Sequence, residues 1–234
     1  MAEPVASIRV IGHRGCGVGP IENTLRAMRE GLAAGADGVE FDVHACRDGE
    51  IVVIHDFSLE RTTNGKGSVS QLSLAQLKQL DAGQGETIPT LDEVLDELKG
   101  YPNLLVNVEV KPPGIEQKVL DILRRHHITE RVVISSFLWA VLQEVRTLDT
   151  KIATGLLYSY PLENPVQVAQ DLGATALHPE HVLVSEQLVN QCRQAHLLIY
   201  PWTVDQEAHM RRMVGLRVDG IITNEPRRLR MLLG

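Results

Sequence analysis

Gly38-Val39-Glu40-Phe41-Asp42-Val43-His44 is a short run in which Val39, Phe41 and Val43 alternate with Glu40, Asp42 and His44. In extended backbone successive side chains point to opposite faces, so this reads as a strand with one apolar face and one face that carries two acids and an imidazole. That second face cannot be apolar core, because neighbouring carboxylates repel and resist desolvation. Working outward from this run, comparable apolar stretches fall at 8–12, 104–109, 132–135, 152–156, 174–178, 197–201 and 219–222, with amphipathic helical stretches between them. Strands alternating with helices from end to end predict an α/β chain with a parallel sheet, and a count of eight favours a closed (β/α)8 barrel.

The 234 residues, 44% of them hydrophobic, suit one barrel domain spanning 1–234. A formal net charge of -7 leaves no excess of Lys or Arg to pair with a nucleic-acid backbone or an anionic membrane, so a small soluble molecule is the expected partner. The start Met1-Ala2-Glu3-Pro4 lacks a basic stretch followed by an apolar one, and no run approaches a membrane span of ~18 apolar residues. The expectation is a cytoplasmic protein without stable membrane association. Cys16, Cys46 and Cys192 are odd in number and lack CxxC spacing, so they are expected as free thiols. Asn23 is placed to cap a helix running to Ala34, and Thr90 to cap one over 91–98, where Leu91, Val94, Leu95 and Leu98 form an apolar face. The polar, glycine-rich segment at about 57–88 breaks the strand-helix rhythm and is expected as an insertion that partly roofs the site, since barrel enzymes place their chemistry on the loops after the strands.

Glu40 and Asp42 therefore need solvent or a cation, and hard oxygen ligands of this kind suit Mg2+ or Ca2+. In Val106-Asn107-Val108-Glu109-Val110-Lys111, Glu109 and Lys111 again share a face, which offers a third carboxylate and a cation for a phosphate oxygen, or else a plain neutralising pair. Arg47-Asp48-Gly49-Glu50 carries an Asp-Gly hairpin signal. A two-residue turn there pairs His44 with Val53 and sets His55 directly opposite Asp42. His13 and Arg14 follow the first strand and enter the same mouth. Two imidazoles supply the acid and base that phosphodiester cleavage requires near neutral pH, and Arg14 supplies a planar fork for phosphate oxygens. Trp202, after the seventh strand, offers an apolar wall for a bound molecule or else ordinary core packing. The remaining histidines, His126, His127, His178 and His181, are expected at the surface or in supporting positions. Gly15, Gly17 and Gly19 followed by Glu40 offer a rival reading as a dinucleotide fingerprint, but Pro20 stands where the third glycine belongs and the scheme leaves His13, Asp42, His55 and Glu109 without a role.

Together these residues resemble the glycerophosphodiester phosphodiesterase family over nearly the whole chain. His13-Arg14-Gly15 resembles its HRG motif, Glu22-Asn23-Thr24 its PENT motif, Glu40-Phe41-Asp42-Val43 its ExDV and His55-Asp56 its HD. Leu59-Glu60-Arg61-Thr62-Thr63-Asn64-Gly65 resembles the start of its insertion, Glu109-Val110-Lys111 its ExK, Trp202-Thr203-Val204-Asp205 its WTVN-like segment, and Asp219 to Pro226 its closing strand and turn. Ile21 interrupts PENT, and Cys46 stands where a threonine is usual. The resemblance implies a TIM-type barrel that binds one divalent cation, Mg2+ or Ca2+, through Glu40, Asp42 and Glu109, with His13 and His55 as the acid-base pair and Arg14 and Lys111 on the phosphate. It implies hydrolysis of small glycerophosphodiesters to glycerol 3-phosphate and an alcohol. Within the pair, His55 is taken as base and His13 as acid because His55 is expected against the acidic strand. The alternative on the same barrel is a phospholipase D-like lysophospholipid phosphodiesterase, disfavoured because the sequence shows no extended apolar loop or basic amphipathic helix. The oligomeric state, a homo-oligomer included, is left open.

Overall fold

The computed structural model describes residues 8–16 and 21–234; Gly17, Gly19 and Pro20 of the glycine-rich stretch and the Met1-Ala2-Glu3-Pro4 start lie outside the described residues. The eight parallel strands are β1 (Arg9–Gly12), β2 (Gly38–Ala45), β4 (Leu105–Val110), β5 (Val132–Ser136), β6 (Ala153–Tyr158), β7 (Ala176–Pro179), β8 (Leu198–Ile199) and β9 (Gly220–Thr223). A short β3 (Ile51–Val53) lies antiparallel to β2. The strand order is β8-β7-β6-β5-β4-β2-β1-β9. Backbone bonds from Asp219 to Ile199, Ile222 to Pro201 and Val204 to Ile222 join the two ends, which closes the barrel as the count of eight predicts.

Helices α1 (Leu25–Ala33), α3 (Leu91–Glu97), α4 (Glu116–Arg125), α5 (Trp139–Leu148), α6 (Pro165–Asp171), α7 (Glu186–Gln194), α8 (Glu207–Leu216) and α9 (Pro226–Leu233) each follow a strand, and α2 (Leu74–Leu77) lies in the insertion. The alternation in β2 explains why the outside is so apolar. Val39, Phe41 and Val43 are fully buried against Leu91, Leu95 and Leu120, each contributing roughly 1.5–3 kcal/mol of burial. The bottom of the barrel interior is also apolar, filled by Ile11, Leu105, Val133, Ala176, Tyr200 and Ile222. Polar residues take over above that layer. Asn107 donates to the Ser135 hydroxyl at 3.1 Å, and His178, expected at the surface or in a supporting position, is completely buried.

Two local expectations fail. The hairpin after β2 pairs Val43 with Val53 and His44 with Val52, one residue away from the expected register. Cys46 N–H bonds to the Glu50 carbonyl and Gly49 N–H to the Cys46 carbonyl, so the loop has an extra residue, with Gly49 in the left-handed region at φ 79. Only glycine adopts that conformation freely, and it lets the longer turn displace the two-residue one. The cap of α1 is Thr24, whose hydroxyl accepts from Ala27 N–H, not Asn23. Thr90 does cap α3, with Glu93 completing a reciprocal capping box. The insertion packs its own apolar cluster of Leu59, Val69, Leu77 and Ile88 beneath Val52 and Ile54. All three cysteines are free thiols, as expected.

Candidate active site

The paired strands β2 and β4 run in register with Asp42 beside Glu109 and Glu40 beside Asn107. That register brings one oxygen from each of Glu40, Asp42 and Glu109 within 4.8 Å of one another, and all three residues are buried. Burial and the neighbouring Asp42 and Glu109 raise the Glu40 carboxyl well above the usual range, and burial and Asp42 push Glu109 up to about 7. Burial also opposes the charge on Asp42, but Lys111, His55 and Arg14 outweigh it and hold that group at about 2. The cluster is thus short of positive charge.

What positive charge exists is tightly held. Lys111 Nζ lies 2.6 Å from Glu109 and 3.3 Å from Asp42. Arg14 sits in the left-handed region at φ 52, which turns its backbone N–H onto Glu40 Oε2 at 2.9 Å while its guanidinium reaches Glu22 at 2.6 Å and Asp42 at 3.6 Å. Gly15 makes this turn feasible, since a Cβ there would stand 2.6 Å from the Ala27 backbone. Asn23, also left-handed at φ 60, donates its amide to Asp42 Oδ2 at 2.8 Å and accepts from the Asp42 N–H at 3.2 Å.

His13 Nδ1 lies 2.8 Å from Asn224 Oδ1, and the Asn224 amide donates to Asp205 at 2.7 Å. Because the carboxylate can only accept, the Asn224 carbonyl must face the ring, so His13 carries its proton on Nδ1 and presents a bare Nε2. Burial and then Arg14 lower this histidine to about 4. His13 Nε2 is 4.0 Å from Glu40. His55 arrives by a different route from the one expected: the ladder is shifted by one residue, its last bond runs from Ile54 N–H to the Asp42 carbonyl, and the chain then bends at His55. His55 Nδ1 then meets Asp56 at 2.5 Å, and its carbonyl lies 3.1 Å from His44 Nε2.

His13, Arg14, Glu40, His55 and Glu109 line one cavity of about 140 Å³ at the C-terminal mouth of the barrel. Phe137, Leu157, Trp202 and Ile222 line its other side. Trp202 stands edge-on to Phe137 at 5.4 Å and donates its indole N–H to the His178 carbonyl at 2.7 Å. His44, expected with the acids, instead packs edge-on against Phe57 at 4.6 Å. Asp42 and Lys111 lie directly beneath the cavity residues through the contacts above. Sequence reasoning took Asn23 only as a helix cap and gave no separate role to Glu22, Asp56, Arg61, Asp205 or Asn224, all of which hold a site residue directly or through one another. Their only signal was membership in the recurring motifs.

The sequence model of the glycerophosphoryl diester phosphodiesterase family matches residues 13–228. The chain belongs to that family. It is 41% identical over 232 residues to the glycerophosphodiester phosphodiesterase of Caldanaerobacter subterraneus subsp. tengcongensis, covering 94% of this chain and 95% of that one. A putative glycerophosphoryl diester phosphodiesterase from Silicibacter pomeroyi superposes with a TM-score of 0.90 at 30% identity, covering 97% of this chain and 93% of that one. An Oleispira antarctica phosphodiesterase, solved in complex with the product sn-glycerol-3-phosphate, superposes with a TM-score of 0.88 at 30% identity over 95% of both chains. The dinucleotide reading falls with the open sheet it requires, and Glu40 is committed to the acidic cluster. Among the described residues no helix is long and apolar enough to cross a membrane.

Proposed function

We propose that this chain, as a single domain, hydrolyses small glycerophosphodiesters to sn-glycerol 3-phosphate and an alcohol, with His13 and His55 as the proton-transfer pair. The observation that carries the reading is the difference between the two imidazoles that share a cavity with the acidic cluster. His13 is backed by a neutral amide and His55 by a carboxylate. A ring backed by Asn224 stays neutral with Nε2 open, which suits a base. A ring whose Nδ1–H meets Asp56 has a partner for the positive charge that a proton donor carries. This reverses the partition drawn from sequence. His13 Nε2 takes the proton of the attacking hydroxyl, whether the glycerol 2-hydroxyl or water, and His55 Nε2 gives one to the departing alcohol oxygen. Arg14 and Lys111 orient the phosphoryl oxygens and offset the charge that grows on them.

Glu40, Asp42 and Glu109 would hold the divalent cation, Mg2+ or Ca2+. The residues fit: all three are hard oxygen donors, and the hydrogen bonds made to Glu40 and Glu109 fall on Oε2 and Oε1 respectively, leaving each a second oxygen. Three carboxylates outnumber Arg14 and Lys111 by one, so a doubly charged ion would leave the site with the single positive charge that a phosphodiester anion neutralises. When bound, it would supply Lewis-acid stabilisation of charge on the phosphoryl oxygens. A cytoplasmic setting agrees with the net charge of -7 and a small soluble substrate.

The test is release of sn-glycerol 3-phosphate from glycerophosphocholine and glycerophosphoethanolamine, before and after chelation and with Mg2+ or Ca2+ restored. His13→Ala and His55→Ala should each lower kcat by roughly 10²- to 10⁴-fold with far smaller changes in KM. Activity that survives thorough chelation sinks the role of the three carboxylates, and an unimpaired His13→Ala enzyme removes that ring from the chemistry.

A second reading is favoured by a feature invisible in the sequence. Phe137, Leu138 and Trp139 after β5, Tyr160 after β6 and Val182 after β7 are all exposed, and adjacent strands place them on one side of the mouth, continuous with the Phe137–Trp202 wall. Such a rim fits the acyl chain of a lysophospholipid, which would extend the substrate class while keeping the same bond cleavage. A kcat/KM for lysophosphatidylcholine above that for glycerophosphocholine, lost in Trp139→Ser, supports it; preference for the unacylated ester refutes it.

A further inference from the structure

Arg61 lies in the insertion, between the buried residues Leu59 and Thr62, so its backbone is anchored while its side chain remains 43% exposed. Its guanidinium grips two carboxylates at once. Nε and one terminal nitrogen reach Asp56 at 2.7 and 2.9 Å, and both terminal nitrogens reach Glu22 at 2.9 and 2.6 Å. Each of those carboxylates also holds one arm of the site. Asp56 Oδ1 meets His55 Nδ1, and Glu22 Oε1 accepts from the Arg14 guanidinium at 2.6 Å.

We propose that Arg61 is a positioning residue for both arms: by clamping Asp56 and Glu22 together it fixes His55 and Arg14 relative to one another. The inference rests on the reading above, in which His55 protonates the leaving oxygen and Arg14 holds the phosphoryl group. The physical case is one of shape. Glu22 is almost fully buried between two guanidinium groups, so its carboxylate would be free to turn toward Arg14 alone if one were removed. His55 and Asp56 sit on a bend just past the last ladder bond, from Ile54 N–H to the Asp42 carbonyl, and the side chain that meets the His55 ring is Asp56. Only a planar, forked cation can bond both carboxylates in pairs; an ammonium at the same place is a point charge. When the Arg61 cation is removed Glu22 keeps Arg14 and Asp56 keeps His55 as partners, so neither carboxylate is left unpaired and the clamp acts on alignment more than on folding.

The experiment compares wild type, Arg61→Gln and Arg61→Lys on two substrates, glycerophosphocholine and the 4-nitrophenyl ester of glycerol 3-phosphate, with melting temperature recorded for each protein. The aryl ester leaves without needing a proton, so loss of His55 alignment is largely hidden with it, whereas loss of Arg14 alignment affects both substrates. Arg61→Gln is expected to lower kcat on glycerophosphocholine by roughly 10²-fold, the cost of an ångström-scale misplacement, and on the aryl ester by several-fold only, with a melting temperature close to wild type. Arg61→Lys is expected to resemble Arg61→Gln, since restoring charge does not restore the fork. Introducing Arg61→Gln into an Asp56→Asn protein should add little, because the clamp is already open on that side. Equal losses on both substrates, full rescue by lysine, or additive losses in the double variant would overturn the proposal. A wild-type protein inert toward both esters would instead overturn the hydrolytic function on which it rests.

Discussion

The buried His178 gives the structure its most quantitative prediction. Its ring lies in the barrel interior in the space left by Gly155 and edge-on to Tyr200 at 5.4 Å, and neither ring nitrogen has a hydrogen-bond partner among the described residues. Burial alone lowers it from 6.5 to about 3, so the folded protein keeps it neutral where the unfolded chain would charge it. The sign follows: stability from this group is fully present above pH 6.5 and is lost as pH falls toward about 3, because only the unfolded state takes up the proton. At pH 5 the linkage relation gives a loss of about 2 kcal/mol, against about 0.2 kcal/mol at pH 7. The perturbation is His178→Met, which fills similar space with an adaptable, non-titrating side chain. Urea unfolding of both proteins at pH 7 and pH 5, in chelator to keep cation linkage out, measures the free-energy change on acidification for each. Comparing the two changes cancels whatever methionine does to packing. Wild type should lose about 2 kcal/mol more than the variant on going to pH 5. Equal losses would mean that the folded barrel tolerates a charged His178, and the desolvation argument would fail.

Asn23→Gly keeps the left-handed backbone at φ 60 and deletes both bonds to Asp42, so about 10- to 100-fold more Mg2+ or Ca2+ should be needed to restore the chelated enzyme; an unchanged requirement would deny Asn23 its hold on the carboxylate. Asp205→Asn frees the Asn224 amide to turn its N–H toward His13 and force the wrong tautomer, so kcat should fall roughly 10²-fold or more at near-constant KM, while retained turnover would break the Asp205–Asn224–His13 chain. Gly155→Ala would put a Cβ 2.5 Å from His178 Nε2, and thermal unfolding should report about 1–3 kcal/mol of overpacking.

The barrel was legible because its signal is periodic and repeated. Each apolar run in the sequence lies within a residue or two of an observed strand, and the alternation of Glu40, Asp42 and Glu109 with valines and phenylalanine described the inner and outer faces of β2 and β4 before any register was known. What failed was local and rests on single residues in unusual conformations. Gly49 at φ 79 lengthens the hairpin and moves the ladder by one residue, and Asn23 at φ 60 gives up its capping position to Thr24. Both Gly and Asn are the residue types that adopt the left-handed region most readily, but sequence alone does not tell whether they do so.

The site was legible to the same depth and no further. The residues that bear charge or a proton on a strand end could be found, because strand direction sends them to one mouth. Several of the residues that orient them could not, because the partners lie far apart in sequence: Asn224 is 211 positions from His13, and Arg61 is 39 from Glu22. Sequence reasoning assigned the acid and base by proximity to the acidic strand. The structure instead distinguishes the two rings by what stands behind each, an amide for His13 and a carboxylate for His55. On the proposed reading, the proton-transfer role of each ring follows its second partner more than the strand it approaches. If that reading holds, the identity of Asn224 matters as much as that of His13: a carboxylate at 224 would back both rings alike, and the asymmetry by which one ring is proposed to take a proton while the other gives one would be gone.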